Sequence, residues 1–221
     1  MVNVLSRDQK SAKAQQIATA AWQLFSQYSF NDISMTQLAE TAGVAKGTLF
    51  NYYQTKESIF MTGLLTGYRL YLTDLTQKFV VQPVRTPAAL KARLLAETRT
   101  LINDHSTLVR LNALRGPVLE AHADRQRTEQ DRQALYTVNT QLGAVLAQQV
   151  PGLSVETATH LFVIQSAIIS GLMNLAGLDQ FNHTTLTAAF PAFQINLEAE
   201  ACRTFGYYLD GIFQEEIHGT I

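Results

Sequence analysis

The sequence predicts an all-α fold, and three observations support that prediction. Apolar residues recur at helical spacing along nearly all of the 221 residues, capping and breaking signals separate the apolar stretches, and no convincing alternating strand pattern is present. Hydrophobic residues make up 47% of the chain and charged residues 16%, which is typical of a globular protein and not of a disordered one. The chain is long enough to bury a sizeable core.

The first helices follow from an apolar stripe and a capping signal. A stripe at positions i, i+3, i+4, i+7, i+8 and i+11 predicts a helix over about residues 7 to 28, and it consists of Ile17, Ala20, Ala21, Leu24, Phe25 and Tyr28. Ser34 and Gln37 form a capping box, so a second helix begins near Met35 and ends at Gly43. A third helix is expected over about 45 to 52, and a fourth from Lys56 to about 80.

The remaining helices are delimited mainly by proline and glycine. Thr86-Pro87 is an N-cap followed by proline at the first helical position, and Arg115-Gly116-Pro117 repeats the stop-and-start signal. A long helix with a polar face is expected over about 118 to 149, ending at Pro151-Gly152. The last two long helices are expected over about 154 to 178 and 194 to 217, separated by a loop that contains His183 and Pro191.

Charge and cysteine content narrow the class of protein. The net charge is −1, and the charge differs little between the first 60 residues and the rest, so any claim of nucleic-acid binding must rest on where the charges lie. The single cysteine, Cys202, permits no intramolecular disulfide. We therefore expect a cytoplasmic protein, and the first residues lack the apolar region of a secretory signal.

One segment has the length and composition of a membrane span. Residues 161 to 178 carry no charge, but they include polar side chains at Gln165, Ser166, Ser170 and Asn174. No lysine or arginine flanks the segment closely. We interpret it as a helix buried in a core or a subunit interface, with a membrane span as the alternative.

Two glycines in a helical context suggest a DNA-binding element. Gly43 ends one helix and Gly47 lies in the next, which is the arrangement of a helix-turn-helix. Gly43 would supply a left-handed turn conformation, and Gly47 would let the backbone approach a phosphate or a groove wall. Lys46, Thr48 and Asn51 could then contact phosphates or base edges. Spacing alone leaves open an ordinary helical hairpin whose polar residues are merely solvated.

A longer run of residues resembles the DNA-binding domain of the TetR family of bacterial regulators. The similarity covers about residues 12 to 60 and rests on IATAAWQLF at 17–25, Phe30, and ISMTQLAETAGVAKGTLFNYYQTKESIF at 33–60. It implies a DNA-binding domain over 1–55, a helical regulatory domain over 56–221, and a homodimer on a palindromic operator. The positions that it implies for DNA contact are Thr36, Gln37, Lys46, Gly47, Thr48, Phe50, Asn51, Tyr52 and Lys56.

This sequence departs from the family pattern at Phe50, where tyrosine is the usual residue. A phosphate hydrogen bond is lost there, although the ring can still stack on a sugar or a thymine methyl group. Ala45 has no polar side chain with which to read a base. We therefore expect Lys46, Thr48 and Asn51 to carry most of the sequence information.

The last two helices carry stripes that suggest a dimer interface. Small or amide-bearing residues recur along the first helix and a similar stripe follows in the second, and together they are Ala167, Ser170, Gly171, Asn174, Ala199, Cys202, Gly206, Leu209 and Phe213. Packed on their symmetry mates, these helices would form a four-helix bundle, as the resemblance also implies. The alternative is that both stripes face only the core of the same chain.

The resemblance further implies an effector pocket enclosed by the middle helices. Candidate lining residues are polar or aromatic side chains on otherwise apolar faces, namely Tyr68, Tyr71, His105, Arg110, His122, Phe162, Gln165 and Met173. Each could instead be an ordinary core or surface residue. The composition suggests a hydrophobic or aromatic effector.

Other chemistries lack their usual motifs. The five histidines show no i, i+3 or i+4 pairing, so no metal site is expected, and no phosphate-binding loop, dinucleotide fingerprint, nucleophile elbow or zinc protease motif occurs. We expect no cofactor and no enzymatic activity. The expected function is a repressor released from its operator by a small molecule. The alternative is a dimeric helical adaptor or small-molecule-binding protein without operator-specific DNA binding.

Overall fold

The computed structural model describes residues 7–176 and 194–218, and within that part of the chain it contains helices and no strand. The prediction of an all-α fold is confirmed. The helices are α1 Arg7–Gln27, α2 Met35–Thr41, α3 Lys46–Tyr52, α4 Lys56–Val81, α5 Pro87–Asp104, α6 Ser106–Ala113, α7 Arg125–Gln149, α8 Val155–Ala176 and α9 Leu197–His218. The predicted loop with His183 and Pro191 lies outside the described residues, as do residues 177 and 178 of the predicted helix.

Several predicted helix boundaries are confirmed by their capping hydrogen bonds. The backbone N–H of Gln37 donates to Ser34 Oγ at 3.2 Å, and the backbone N–H of Ser34 donates to Gln37 Oε1 at 2.8 Å. These two reciprocal bonds are the capping box that begins α2. Thr86 caps α5 by accepting from the backbone N–H of Ala89 at 3.2 Å, with Pro87 at the first helical position.

Two helix boundaries differ from the prediction. The region after Pro87 divides at His105 into α5 and α6, and neither glycine nor proline marks that break. The helix predicted from residue 118 begins only at Arg125, after a π-helical turn over Arg115–Leu119. Asp124 caps α7 by accepting from the backbone N–H of Arg127 at 2.7 Å, so the helix starts at its capping side chain and not at Pro117.

The chain forms two compact units, and their division does not follow a single point in the sequence. One unit contains Met1–Thr66 and Leu114–Arg132, and the other contains Gly67–Ala113 and Gln133–Ile221. Both α4 and α7 contribute residues to each unit. The predicted division between residues 55 and 56 stays an interpretation of the sequence.

The core of the first unit joins α1, α2, α3 and the start of α4. Its fully buried side chains include Ile17, Phe25, Leu38, Leu49 and Phe60. The ring of Phe60 lies 5.6 Å from that of Phe25 and 5.2 Å from that of Phe30, in tilted and edge-to-face arrangements. These contacts join the start of α4 to α1 and to the turn before α2, while Leu38 and Leu49 bury the inner faces of α2 and α3.

The second unit packs α8 against α6, α7 and α9. Helices α7 and α8 cross at Gly143, where an added Cβ would lie 2.2 Å from Thr159 Oγ1 and 3.0 Å from the carbonyl oxygen of Val155. Only glycine fits this crossing without displacing the partner helix. Elsewhere in the unit, buried polar groups pair across helices, as where Asn112 Nδ2 donates to Ser166 Oγ at 2.9 Å and to Ser170 Oγ at 2.6 Å.

Among the described residues, α8 alone is long and apolar enough to cross a membrane by length and composition, with a mean hydropathy of 1.4. One face of this helix is buried within the second unit, through Ala158, Leu161, Phe162, Gln165 and Ile169. The core helix of a globular unit meets the same criterion of length and hydropathy.

Candidate nucleic-acid interface

The turn between α2 and α3 is held by Gly43 in the left-handed conformation. Its φ is +60°, and in the described part of the chain only glycines have a positive φ. The backbone N–H of Gly43 donates to the carbonyl of Glu40, and that of Val44 donates to the carbonyl of Ala39, both at 3.0 Å. This pair of bonds is a Schellman motif, which satisfies the last carbonyls of α2. The role predicted for Gly43 is confirmed.

The outer face of α3 is exposed and largely polar. Lys46, Gly47 and Asn51 are exposed and Thr48 is half-buried, whereas Leu49 on the opposite face is fully buried. An added Cβ at Gly47 would meet no atom within 4 Å. Packing within the chain therefore does not require a glycine at this position, and Gly47 lies on the outer face as predicted.

Helix α2, which precedes α3, carries two residues predicted to contact DNA in its first turn. Thr36 is exposed in that turn, so its hydroxyl is available to a ligand. Gln37 is half-buried, and its Oε1 accepts from both the backbone N–H and the hydroxyl of Ser34. The carboxamide NH₂ group of Gln37 is therefore the part that can donate to an incoming phosphate.

Two residues predicted to contact DNA are covered or engaged within the unit. Tyr52 is half-buried, and its hydroxyl is covered without a hydrogen-bond partner, so it does not reach the outer face in this conformation. Lys56 Nζ donates to the carbonyls of Phe30 at 2.8 Å and Ile33 at 2.9 Å, and it lies 4.4 Å from the centre of the Phe30 ring. One of its three donors remains for the phosphate contact, which stays a prediction. Phe50 is half-buried.

A segment distant in sequence also contributes to this unit, and the sequence did not reveal it. Thr55 Oγ1 donates to the carbonyl of His122 at 2.9 Å, and the backbone N–H of Asp124 donates to Ser58 Oγ at 2.8 Å. Arg127, on the first turn of α7, reaches Tyr53 at the end of α3. No local pattern could predict these pairs, because their partners are separated by about seventy residues.

The residues predicted to line an effector pocket do not share one environment. His122 is exposed and belongs to the unit that contains the helix-turn-helix, whereas the other seven candidates belong to the second unit. In the second unit, Tyr71 is buried, its hydroxyl donates to the carbonyl of Glu97 at 3.3 Å, and its ring centre lies 5.4 Å from that of His105. The pKa of Tyr71 is raised, mainly because the hydroxyl is buried and secondarily because the Glu97 carboxylate lies nearby.

Three further pocket candidates lie along α8. Gln165 is buried and donates from Nε2 to Thr98 Oγ1 at 2.8 Å, and Phe162 is also buried. Met173 is half-buried, as are Tyr68 and Arg110 on other helices. A separate groove of about 660 Å³ lies between α5 and α9, and none of the predicted pocket residues lines it.

Four of the five residues of the stripe predicted on α9 as a dimer interface are covered by the chain itself. Cys202, Gly206, Leu209 and Phe213 are buried within the chain. An added Cβ at Gly206 would meet Leu95 and Lys91 of α5, and Asp210 forms an ion pair with Lys91. These four residues therefore favour the alternative reading, in which the stripe faces the core of the same chain. Burial also raises the pKa of the Cys202 thiol.

The stripe predicted on α8 is largely exposed. Ala167, Gly171 and Asn174 are exposed, and Ser170 is half-buried where it accepts from Asn112. Exposed apolar residues extend the same region, with Val163 at 50% and Leu175 at 71% exposure, and Tyr207 of α9 is 69% exposed. Ala199, from the predicted α9 stripe, is also exposed.

An all-helical chain with an exposed recognition helix on a glycine-bounded turn has the architecture of a helix-turn-helix regulator. Family comparisons agree: residues 17–61 match the model of bacterial regulatory proteins of the tetR family, and residues 65–216 match that of the tetracyclin repressor-like C-terminal domain. The chain belongs to the TetR family of transcriptional regulators. It is therefore a transcription factor and not an enzyme.

Individual relatives match either a short part of the chain at higher sequence identity or nearly the whole chain at low identity. The HTH-type transcriptional regulator RutR of Escherichia coli K12 is 37% identical over 65 residues, which is 29% of this chain and 31% of RutR. Thermus thermophilus FadR, a TetR family repressor solved with lauroyl-CoA, has a TM-score of 0.53 and 19% identity over 94% of this chain and 95% of FadR. Bacillus subtilis FadR, solved with stearoyl-CoA, has a TM-score of 0.51 and 16% identity over 88% of this chain and 96% of that protein.

Proposed function

We propose that this TetR-family regulator is a cytoplasmic repressor that binds a palindromic operator as a homodimer and leaves it when a small molecule binds the second unit. The observation that carries the DNA-binding part is the outer face of α3, where Lys46 and Asn51 are exposed around a glycine that no packing contact requires. A short helix held by a buried inner face can enter a major groove as a rigid element.

The exposed side chains can be assigned either to phosphates or to base edges by their hydrogen-bonding groups. Lys46 is a point charge without a partner among the contacts described, and we assign it to a phosphate in place of the base-reading role expected from the sequence. Thr48 and Asn51 have donors and acceptors that suit base edges, and asparagine pairs with adenine through two hydrogen bonds. Thr36 and the NH₂ group of Gln37 lie at the N-terminus of α2, where the helix dipole favours a phosphate.

Dimerisation is supported by the exposed, uncharged region on the last two helices. Val163, Ala167, Gly171 and Leu175 follow one another at a spacing of four residues along α8, and Tyr207 adds a large exposed ring on α9. A single recognition helix reads few base pairs, so two copies on one inverted repeat supply affinity and specificity together. We therefore assign the interface to this region in place of the buried stripe of α9.

The effector is proposed to bind within the second unit, among the residues predicted there apart from His122. Buried polar groups in apolar surroundings, such as Gln165 and the hydroxyl of Tyr71, provide the few oriented contacts typical of small-molecule sites. Two similar structures contain fatty acyl-CoA molecules, so an acyl-CoA series belongs in the first screen alongside free aromatic and aliphatic compounds. Binding can release DNA only through a difference in affinity for the two forms.

The experiment that tests this function is selection of bound duplexes from a random DNA pool by the purified protein. The proposal predicts enrichment of one inverted repeat, which then becomes the probe for release by candidate effectors. If no sequence were enriched even at low salt, the protein would lack operator recognition, and the adaptor alternative would take its place.

A further inference from the structure

The C-terminal end of the recognition helix is completed by a side chain from another helix. The last carbonyls of any α-helix lack partners within the helix and need other donors. In α3, Gln54 Nε2 donates to the carbonyl of Phe50 at 2.8 Å, and Arg127 Nη1 donates to the carbonyl of Tyr52 at 3.4 Å. The guanidinium also places a positive charge at the negative end of the helix dipole. Arg127 therefore acts as a C-terminal cap supplied from α7.

Arg127 contacts the residue after α3 in two further ways. Its Nη2 donates to the hydroxyl of Tyr53 at 3.0 Å, and its guanidinium carbon lies 4.3 Å from the centre of the Tyr53 ring. Tyr53 is buried, and burial raises its pKa, so the phenol stays neutral and its oxygen accepts from the guanidinium. The arginine thus holds both the last carbonyl of α3 and the side chain that follows it.

The position of Arg127 is itself fixed. The Asp124 carboxylate accepts from the backbone N–H of Arg127 at 2.7 Å, and the backbone N–H of Asp124 donates to Ser58 Oγ at 2.8 Å. Thr55 Oγ1 donates to the carbonyl of His122 two residues earlier. The start of α7 is therefore attached to the start of α4, and Arg127 reaches α3 from a defined place.

We infer that Arg127 is a positioning residue for base recognition: it fixes the C-terminal half of α3, and through it Asn51 and Thr48, without touching DNA itself. The inference rests on the proposed function. It differs from a direct phosphate contact, the other role open to an arginine in this unit. A phosphate contact contributes equally to all sequences and about one unit to the salt dependence of binding, whereas a positioning residue contributes to discrimination between sequences.

The test compares four variants on the duplex recovered by selection and on a scrambled duplex. Arg127→Ala removes the cap, Arg127→Lys keeps the charge but not the planar fork, and Tyr53→Phe removes one acceptor and keeps the ring. Arg125→Ala is the matched control, because Arg125 lies two residues away on the same helix, has a 91% exposed side chain, and pairs only with Glu129 among the contacts described. Binding is followed by fluorescence anisotropy at several salt concentrations, and folding by circular dichroism.

We expect Arg127→Ala to lower the ratio of the affinity for the selected duplex to that for the scrambled duplex by roughly tenfold. The reason is that one misplaced bidentate base contact loses roughly tenfold in discrimination between sequences. Arg127→Lys and Tyr53→Phe lower the same ratio by less. The salt slope and the scrambled affinity match those of Arg125→Ala. If Arg127→Ala does not fold, the inference is tested by the ratio of specific to scrambled affinity in Arg127→Lys and Tyr53→Phe.

Two results would overturn the inference while leaving the proposed function intact. One is an unchanged affinity ratio in the folded Arg127 variants, and the other is a salt slope about one unit lower than in Arg125→Ala, which marks a direct phosphate contact. If the wild-type protein selected no duplex at all, the proposed function and this inference would both fail.

Discussion

The ammonium of Lys56 binds the carbonyl of Phe30 at 2.8 Å and lies 4.4 Å above the ring of the same residue. The same ammonium donates a second hydrogen bond to the carbonyl of Ile33, so it binds both ends of the short turn that leads into α2. Family resemblance assigned this lysine to the DNA backbone, and the structure adds a structural role. Removing the ammonium leaves two backbone carbonyls without their charged donor.

Lys56→Met should therefore destabilise the first unit by roughly 1.5–3 kcal/mol, the range for hydrogen bonds to charged groups. Methionine keeps the aliphatic stem, so the loss reports on the ammonium alone. Urea unfolding followed by the fluorescence of Trp22, the one tryptophan of the chain, measures the effect in the first unit. Lys46→Met is the control: Lys46 is exposed, so its loss should leave stability unchanged and lower the salt slope of DNA binding by about one unit.

Gly47→Ala should separate the needs of folding from those of DNA binding. No atom lies within 4 Å of the added Cβ, and alanine stabilises a helix interior by roughly 0.5–1 kcal/mol relative to glycine. We expect unchanged or higher thermal stability together with weaker operator binding. Equal operator affinity in the variant would show that DNA does not approach the backbone at this position.

Asn51→Ala should change which bases are preferred. The side chain is exposed on the outer face of α3, and one bidentate base contact contributes about 1–3 kcal/mol of discrimination. Repeating the duplex selection with the variant should relax the preference at one position in each half-site. An unchanged consensus would remove Asn51 from the base-reading set.

Gly143→Ala should destabilise the second unit by roughly 1–3 kcal/mol, because overpacking forces α7 and α8 apart. The added Cβ would lie 3.0 Å from the backbone N of Thr159 and the carbonyl oxygen of Val155, which no change of rotamer can relieve. Thermal unfolding by circular dichroism measures the loss. Gly211→Ala serves as the control, since nothing lies within 4 Å of its added Cβ, and a decrease in stability equal to that of Gly143→Ala would contradict the packing argument.

Val163→Glu should convert the proposed dimer to a monomer. Val163 is 50% exposed on α8, and a pair of carboxylates at a symmetric interface would be desolvated and repel each other. Light scattering after size exclusion gives the mass. Leu70→Glu is the control, because Leu70 is 61% exposed on α4, outside the proposed interface. A Val163→Glu variant that stayed dimeric would place the interface elsewhere.

Local signals in the sequence predicted local structure well. The capping pair Ser34 and Gln37, the left-handed Gly43 and the Thr86-Pro87 start each depend on neighbouring residues, and each is present as predicted. The break at His105 was missed because no glycine or proline marks it there. Propensity alone does not show where tertiary packing ends a helix.

Long-range relationships could not be predicted in the same way. The α9 stripe containing Leu209 was correctly read as a face to be buried, and Leu209 is buried within the chain itself. Periodicity identifies such a face but not what covers it, so the sequence left open whether a partner chain or the same chain does so. Arg127 carries no signal in its own segment, since its role depends on Tyr53 from a different part of the sequence. Lys56 likewise has an intrachain role that only the folded unit reveals.

The central claim is that α3 reads DNA sequence, and the most direct test is the ratio of affinities for the selected duplex and a scrambled duplex of equal length at physiological salt. The account predicts a ratio of about 10³ or more, as found for sequence-specific regulators. A ratio near one, at an affinity that falls steeply with salt, would show that the exposed face of α3 binds only the phosphate backbone.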